Sequence, residues 1–358
     1  MKHQISTLEE TQKLIAAERI LLIAGDEAVL AKLPKGRWVG GSTPYFMTPG
    51  KGGMVSRDSL FVSDITDAVA TASIKKYTAD SLPQVYKDCP DNGFSYIIIP
   101  ALSSAHMAFA LNAPNYESFG FNPLIGWIAA VHLDDLDKVK PKVFNGETGE
   151  AIEDGAIVLH AALPPGKVAE IGIINPFQQG PGDTLTFEQD GFSAADVLVN
   201  GQKQNFAEYM MKVASERDDS NEALVEGQKR NLDEYMKEKN LVTKLQLPLV
   251  ADYYGALVNI SFFNRIDKDK GVQFYAPVFK GVKYKLAAPL PDYVGAFAKL
   301  LDAEKVQEEN ILFSCNCVLN YLYSNLENKK TASFVGPVAF GEIAYQLVNQ
   351  TLTYLQIK

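Results

Sequence analysis

Cys315 and Cys317, Glu342, and the hydroxyl pair Ser42 and Thr43 are the side chains of this sequence best suited to bind or react. The two cysteines follow the apolar run Ile311-Leu312-Phe313 and lie two apart, so in a strand both face one side. A thiol there becomes reactive only if a cation or a helix N-terminus stabilises its thiolate. A helix starting near Asn316 would supply the second; an inert buried cysteine is the commoner outcome. Asn316 can cap that helix or hydrogen-bond a ligand. Glu342 stands between Gly341 and Ile343, after Ala339 and Phe340. A carboxylate among apolar neighbours is costly to bury unless paired or hydrogen-bonded, so Glu342 either accepts a ligand ammonium or backbone amides, or caps a turn. Ser42 and Thr43 follow Gly40 and Gly41 and can offer hydroxyl and N–H groups to an anion such as a carboxylate. The alternative is a turn whose glycines merely permit tight packing.

Other clusters lack the spacing their chemistry needs. Cys315 and Cys317 have no second Cys or His pair to complete a zinc site. His3, His106, His132 and His160 are scattered, with no His-x-x-x-His pair. His106 lies in an apolar stretch and would be a haem ligand only if that group is bound; a satisfied, partly buried histidine is the alternative. Asp134, Asp135 and Asp137 do not follow an EF-hand loop. Gly50-Lys51-Gly52-Gly53 is not a P-loop, and no Gly-x-Ser-x-Gly elbow occurs. No metal, no cofactor and no reaction is indicated.

At 358 residues, 47% hydrophobic and 22% charged, the chain is long enough for two domains with substantial cores. A net charge of −9 argues against nucleic acid, whose affinity comes largely from clustered cations on phosphate. The N-terminus has no apolar signal core, and no run approaches the length of a membrane span. Three cysteines, an odd count, argue against a disulfide framework and for a reducing, cytoplasmic setting.

The elements that must position these side chains alternate. Thr7 and Glu10 form a capping-box pair, which predicts a helix over residues 7–17 with Leu8, Leu14 and Ile15 on one side. Residues 19–25, 38–43 and 96–99 read as strands, with a short helix over 26–33. Residues 256–263 and 272–275 read as neighbouring strands around a hairpin loop, and 292–301 as a helix. This is a mixed α/β (α+β) pattern of sheets flanked by helices, in two packed domains. The Pro/Gly-rich stretch 175–183 is the best boundary. Beyond it, residues 201–210 recur as 227–236 with seven of ten positions identical. Both copies read as short amphipathic helices, with Phe206, Tyr209 and Met210 on one face of the first.

Phe313-Ser314-Cys315, the turn from Gly336 to Gly341-Glu342-Ile343, and the closing Asn349-Gln350-Thr351-Leu352 resemble motifs of the FIST family of sensory domains. Val39-Gly40-Gly41-Ser42-Thr43 is similar to that family's Gly-Gly-Ser-Thr turn, and residues 193–198 to its helix entry. The resemblance implies a FIST N-type domain over 1–180 and a FIST C-type domain over 181–358, the latter holding a duplicated helix at 201–239. It further implies a non-enzymatic sensor of a small molecule such as an amino acid, with a signalling partner or a second copy of the chain. Haem-based gas sensing is one alternative and a self-assembling scaffold is another. The expected pocket lies between the halves, lined by Gly41, Ser42, Thr43, Cys315, Asn316, Gly341 and Glu342.

Overall fold

In a computed structural model the described residues are 2–136, 138–217, 247–253, 256–267, 271–290 and 292–358, and the second copy of the repeat falls outside them. They form a mixed α+β fold with five sheets. The chain divides into a larger unit, residues 1–176 with 292–358, and a smaller unit, residues 177–291. The sequence reading made the two domains contiguous halves. In the structure the last segment instead supplies strands to two sheets of the larger unit, so that unit is discontinuous in sequence.

The larger unit holds three six-stranded sheets. In the first, Leu21–Gly25 runs parallel to Trp38–Ser42 and antiparallel to Leu60–Asp64. Strand alternation buries this sheet on both faces. Leu21 and Ile23 pack with Ile15, Val29 and Leu30 from the Leu8–Ala16 and Glu27–Leu30 helices, while Leu22 and Ala24 enter the main core. The first helix begins where its capping box requires: Thr7 Oγ1 accepts from the Glu10 amide at 3.2 Å, and Glu10 Oε2 accepts from the Thr7 amide at 2.8 Å.

The second sheet runs Gln346–Val348, Glu342–Ala344, Leu124–Ala129, Gly93–Pro100, Ala156–Ala162, Thr71–Tyr77. The third runs Ala169–Ile174, Leu352–Ile357, Ile311–Cys317, Gly336–Ala339, Tyr45–Thr48, Gly52–Val55. One large apolar cluster draws on all three sheets, with Val39 from the first, Trp127 and Tyr96 from the second, and Phe313 and Leu355 from the third.

The smaller unit is built on an antiparallel sheet that ends in the Asp196–Val199 and Gln202–Asn205 hairpin. Asn200 and Gly201 both take positive φ, 50° and 87°, as a two-residue turn with that twist requires. The first repeat copy is therefore half strand and half helix, because Asn205 Oδ1 accepts from the Glu208 amide and starts the helix only at Phe206. Its expected apolar face is buried: Phe206, Tyr209 and Met210 are all enclosed, with Phe206 edge-on to Phe187 at 5.4 Å. Residues 193–198, taken by resemblance as a helix entry, are strand in Gly191–Ala194 and Asp196–Val199. The run 256–263 is likewise two strands, split at Ser261. Of these, Phe262–Asp267 makes the hairpin with Gly271–Val278.

Candidate functional site

All seven residues expected to line a pocket lie within the larger unit, and the fold brings them close together. Thr43 Oγ1 donates to the Val338 carbonyl at 2.7 Å, and Val338 pairs with Asn316. Glu342 pairs with Trp127, whose ring sits against Gly41. At the glycines of this set the packing is tight. A Cβ on Gly41 would meet Ile98 and the Trp127 ring at 2.7 to 2.9 Å, so this glycine is there for close packing. The Ser42 hydroxyl accepts from the Lys142 amide at 2.9 Å, and the Thr43 amide donates to the Gly25 carbonyl at 2.8 Å. Gly341 lies against Leu347 and Ile128, and its carbonyl accepts from the Ile128 amide. Cys315 and Asn316, adjacent on one strand, face opposite sides: Cys315 belongs to the main core, while Asn316 Oδ1 accepts from Asn320 in the helix that follows. All seven belong to one unit rather than to the two sequence halves between which the pocket was expected.

What remains of that site is a buried acid among thiols. Glu342 is fully enclosed, and its Oε2 accepts from the Thr351 amide at 3.1 Å and from its hydroxyl at 2.8 Å. Among the described residues no N–H or O–H group donates to Glu342 Oε1 or Thr353 Oγ1. Burial pushes the carboxyl up to about 8, partly offset by Thr351 and by the Cys317 thiol beside it. Cys315 and Cys317 share this face, as their spacing implies, and burial followed by the nearby Glu342 raises both thiols well above their ordinary range. They are inert thiols, not poised thiolates. His106 Nδ1 accepts from the Leu102 amide at 3.1 Å, and burial lowers its pKa to about 4.

Two arrangements escaped the sequence reading. The first is a buried chain of hydrogen bonds. Ser95 and His160 are cross-strand neighbours, and Ser95 Oγ lies 2.7 Å from His160 Nδ1. His160 Nε2 lies 2.7 Å from Tyr77 Oη, which donates to Asp88 Oδ2 at 2.6 Å; Lys75 Nζ is also 2.6 Å from that oxygen. Since the tyrosine proton goes to Asp88, His160 carries its proton on Nε2 and accepts from Ser95 on Nδ1. Burial lowers His160 to about 4, so it stays neutral. Ser95 has only 1% of its surface exposed, so this chain works as a satisfied core network.

The second is a cleft of about 550 Å³ between residues 79–87 and the Ser104–Asn112 helix with its continuation to 117. One wall carries Asp80, Gln84 and Lys87, and the other carries Asn112, Asn115, Tyr116 and Glu117. Lys87 and Glu117 form an ion pair. Asn112 and Tyr116 both donate to the Ala108 carbonyl, which fixes that wall. Tyr86 and Phe109 meet the Tyr116 ring edge-on, and burial pushes Tyr116 up to about 12. No motif marks these residues. Only the polar run before Cys89 and the Asn/Tyr/Glu cluster after the helix could have signalled them, and the fold is what joins the two.

Among the described residues no group of His, Cys, Asp and Glu could hold a metal ion, and no helix is long and apolar enough to cross a membrane.

Comparison with known families matches residues 6–219 and 212–358 to a family of unknown function, DUF6976. No FIST domain matches, which overturns the resemblance drawn from the Phe-Ser-Cys and Gly-Glu-Ile motifs. No curated protein matches the chain.

Proposed function

The chain belongs to this family of unknown function (DUF6976), and we propose from its own geometry that it binds a small zwitterionic metabolite of the amino-acid class, without catalysis, in the cleft between residues 79–87 and 108–117. The observation that carries this reading is the Lys87–Glu117 pair across a concave space that polar and apolar groups both line. Both partners are exposed, 38% and 73% by side chain, so the pair itself contributes little and is cheaply opened. A ligand carrying both charges replaces it without leaving either partner alone. Its carboxylate meets Lys87 and its ammonium meets Glu117 and Asp80, while the Gln84 and Asn115 amides supply direction and the Tyr116 ring an apolar edge. A volume of about 550 Å³ is in the range of small-molecule sites.

The test is a thermal-shift screen with the common amino acids and small zwitterions. At a hundredfold excess over Kd, binding adds about 2.7 kcal/mol, which for a unit of this size raises the melting temperature by roughly 5–10 °C. Lys87→Met should remove the shift while leaving the unliganded protein's own melting temperature nearly unchanged. A full panel with no shift, or a shift retained in Lys87→Met, contradicts the reading.

A further inference from the structure

The interior between the second and third sheets of the larger unit holds a carboxyl that the proposed ligand site does not use. Glu342 opens a short hairpin, Glu342–Ala344 paired with Gln346–Val348, at the edge of the second sheet. Its side chain crosses to the third sheet, where Oε2 takes both the amide and the hydroxyl hydrogens of Thr351, just before the Leu352–Ile357 strand. One carboxyl thus ties an edge hairpin to the core of a neighbouring sheet.

The surroundings decide which protonation state can hold that tie. The titratable groups facing Glu342 are Cys315 and Cys317 on Ile311–Cys317, with Tyr96 on Gly93–Pro100 beyond Cys315. Thr351, just before Leu352–Ile357, presents its hydroxyl, and Leu124–Ala129 presents Trp127. Glu170, on the neighbouring Ala169–Ile174 strand, points to Lys358 and Gln356. Among the described residues no cation acts on Glu342. An ionised carboxylate here would be a buried charge facing no cation among the described residues, held only by Thr351 and the weak Cys317 thiol donor. The protonated form carries no charge and gives the carboxyl a hydrogen that the Cys317 thiol beside it can accept.

We propose that Glu342 is a proton-operated latch: protonated, it holds the 342–348 hairpin against Thr351, and on losing its proton it releases the hairpin from the third sheet. The direction follows from the chemistry, since the neutral form is the one the interior stabilises and rising pH removes it. The released piece is small, because both of its strands are short and one is a sheet edge.

Amide hydrogen exchange of the full chain at pH 6 and pH 8.5, corrected for the intrinsic pH dependence of exchange, reads the latch directly. Protection of residues 343–348 and 351 should fall roughly tenfold or more at the higher pH, with no such fall in Glu342→Gln, whose amide oxygen keeps the Thr351 bonds. Equal corrected protection at both pH values, or the same fall in Glu342→Gln, overturns the proposal. Should the variant fold poorly, a carbon-13 titration of glutamate-labelled wild type decides. A Glu342 midpoint above pH 7 supports the latch, and one in the ordinary carboxyl range overturns it.

Discussion

Lowering the pH from 7 to 5 should cost the larger unit about 2 kcal/mol through His160 alone. In the unfolded chain this imidazole has its ordinary value of 6.5, and in the fold burial holds it near 4. The depressed value means that the neutral form belongs to the fold, so the associated stability is present above 6.5 and is lost as pH falls toward 4. At pH 5 the unfolded chain carries the proton almost completely and the folded chain about a tenth of one. The difference, 1.5 pH units below 6.5 at about 1.36 kcal/mol per unit, is about 2 kcal/mol. Glu342 works in the opposite sense over the same interval, because its raised carboxyl gains stability for the fold as pH falls from about 8. The total pH dependence is therefore not diagnostic, and a difference of differences is. His160→Gln should be less stable than wild type at pH 7 by about 1–3 kcal/mol, from the broken Ser95 and Tyr77 bonds. That gap should close by about 2 kcal/mol at pH 5. Urea unfolding followed by the fluorescence of Trp38 and Trp127, both buried in this unit, reports it. A gap that stays constant between the two pH values refutes the reasoning that burial keeps His160 neutral.

Gly41→Ala should destabilise the larger unit by about 1–3 kcal/mol through overpacking against Ile98 and Trp127, seen as a lower urea midpoint with altered tryptophan emission. Phe206→Ala should weaken the smaller unit by about 3–5 kcal/mol, because its ring packs against Phe187 and Phe274; differential scanning calorimetry measures the loss. A thiol reagent should label none of Cys89, Cys315 and Cys317 quickly in the folded protein and all three in denaturant, since all are buried and free.

The parts of the fold that were legible in the sequence are those set by local chemistry. Thr7 and Glu10 mark the first helix because a capping box is complete within four residues. Cys315 and Cys317 share a face because strands alternate. Domain composition was not legible, because it depends on which strands pair. Nothing local in Leu352–Ile357 reveals that it lies between Ala169–Ile174 and Ile311–Cys317. The same holds for the candidate sites. Ser42 and Thr43 were singled out as groups that could face an anion, and in the fold their hydroxyls meet backbone groups at Lys142 and Val338, far away in sequence. His160 looked isolated for the same reason, its neighbours Ser95 and Tyr77 arriving on separate strands. The cleft residues carry no motif, and Lys87 and Glu117 acquire meaning only when the segment before Cys89 folds beside the end of the Ser104–Asn112 helix.

The most direct test of the binding account is saturation-transfer difference NMR on the full chain with a mixture of free amino acids, repeated with Glu117→Gln and Lys87→Met. The account predicts transfer to one or a few amino acids in wild type and its loss in both variants. Transfer to none of them, or transfer undiminished when either charge is removed, would contradict it.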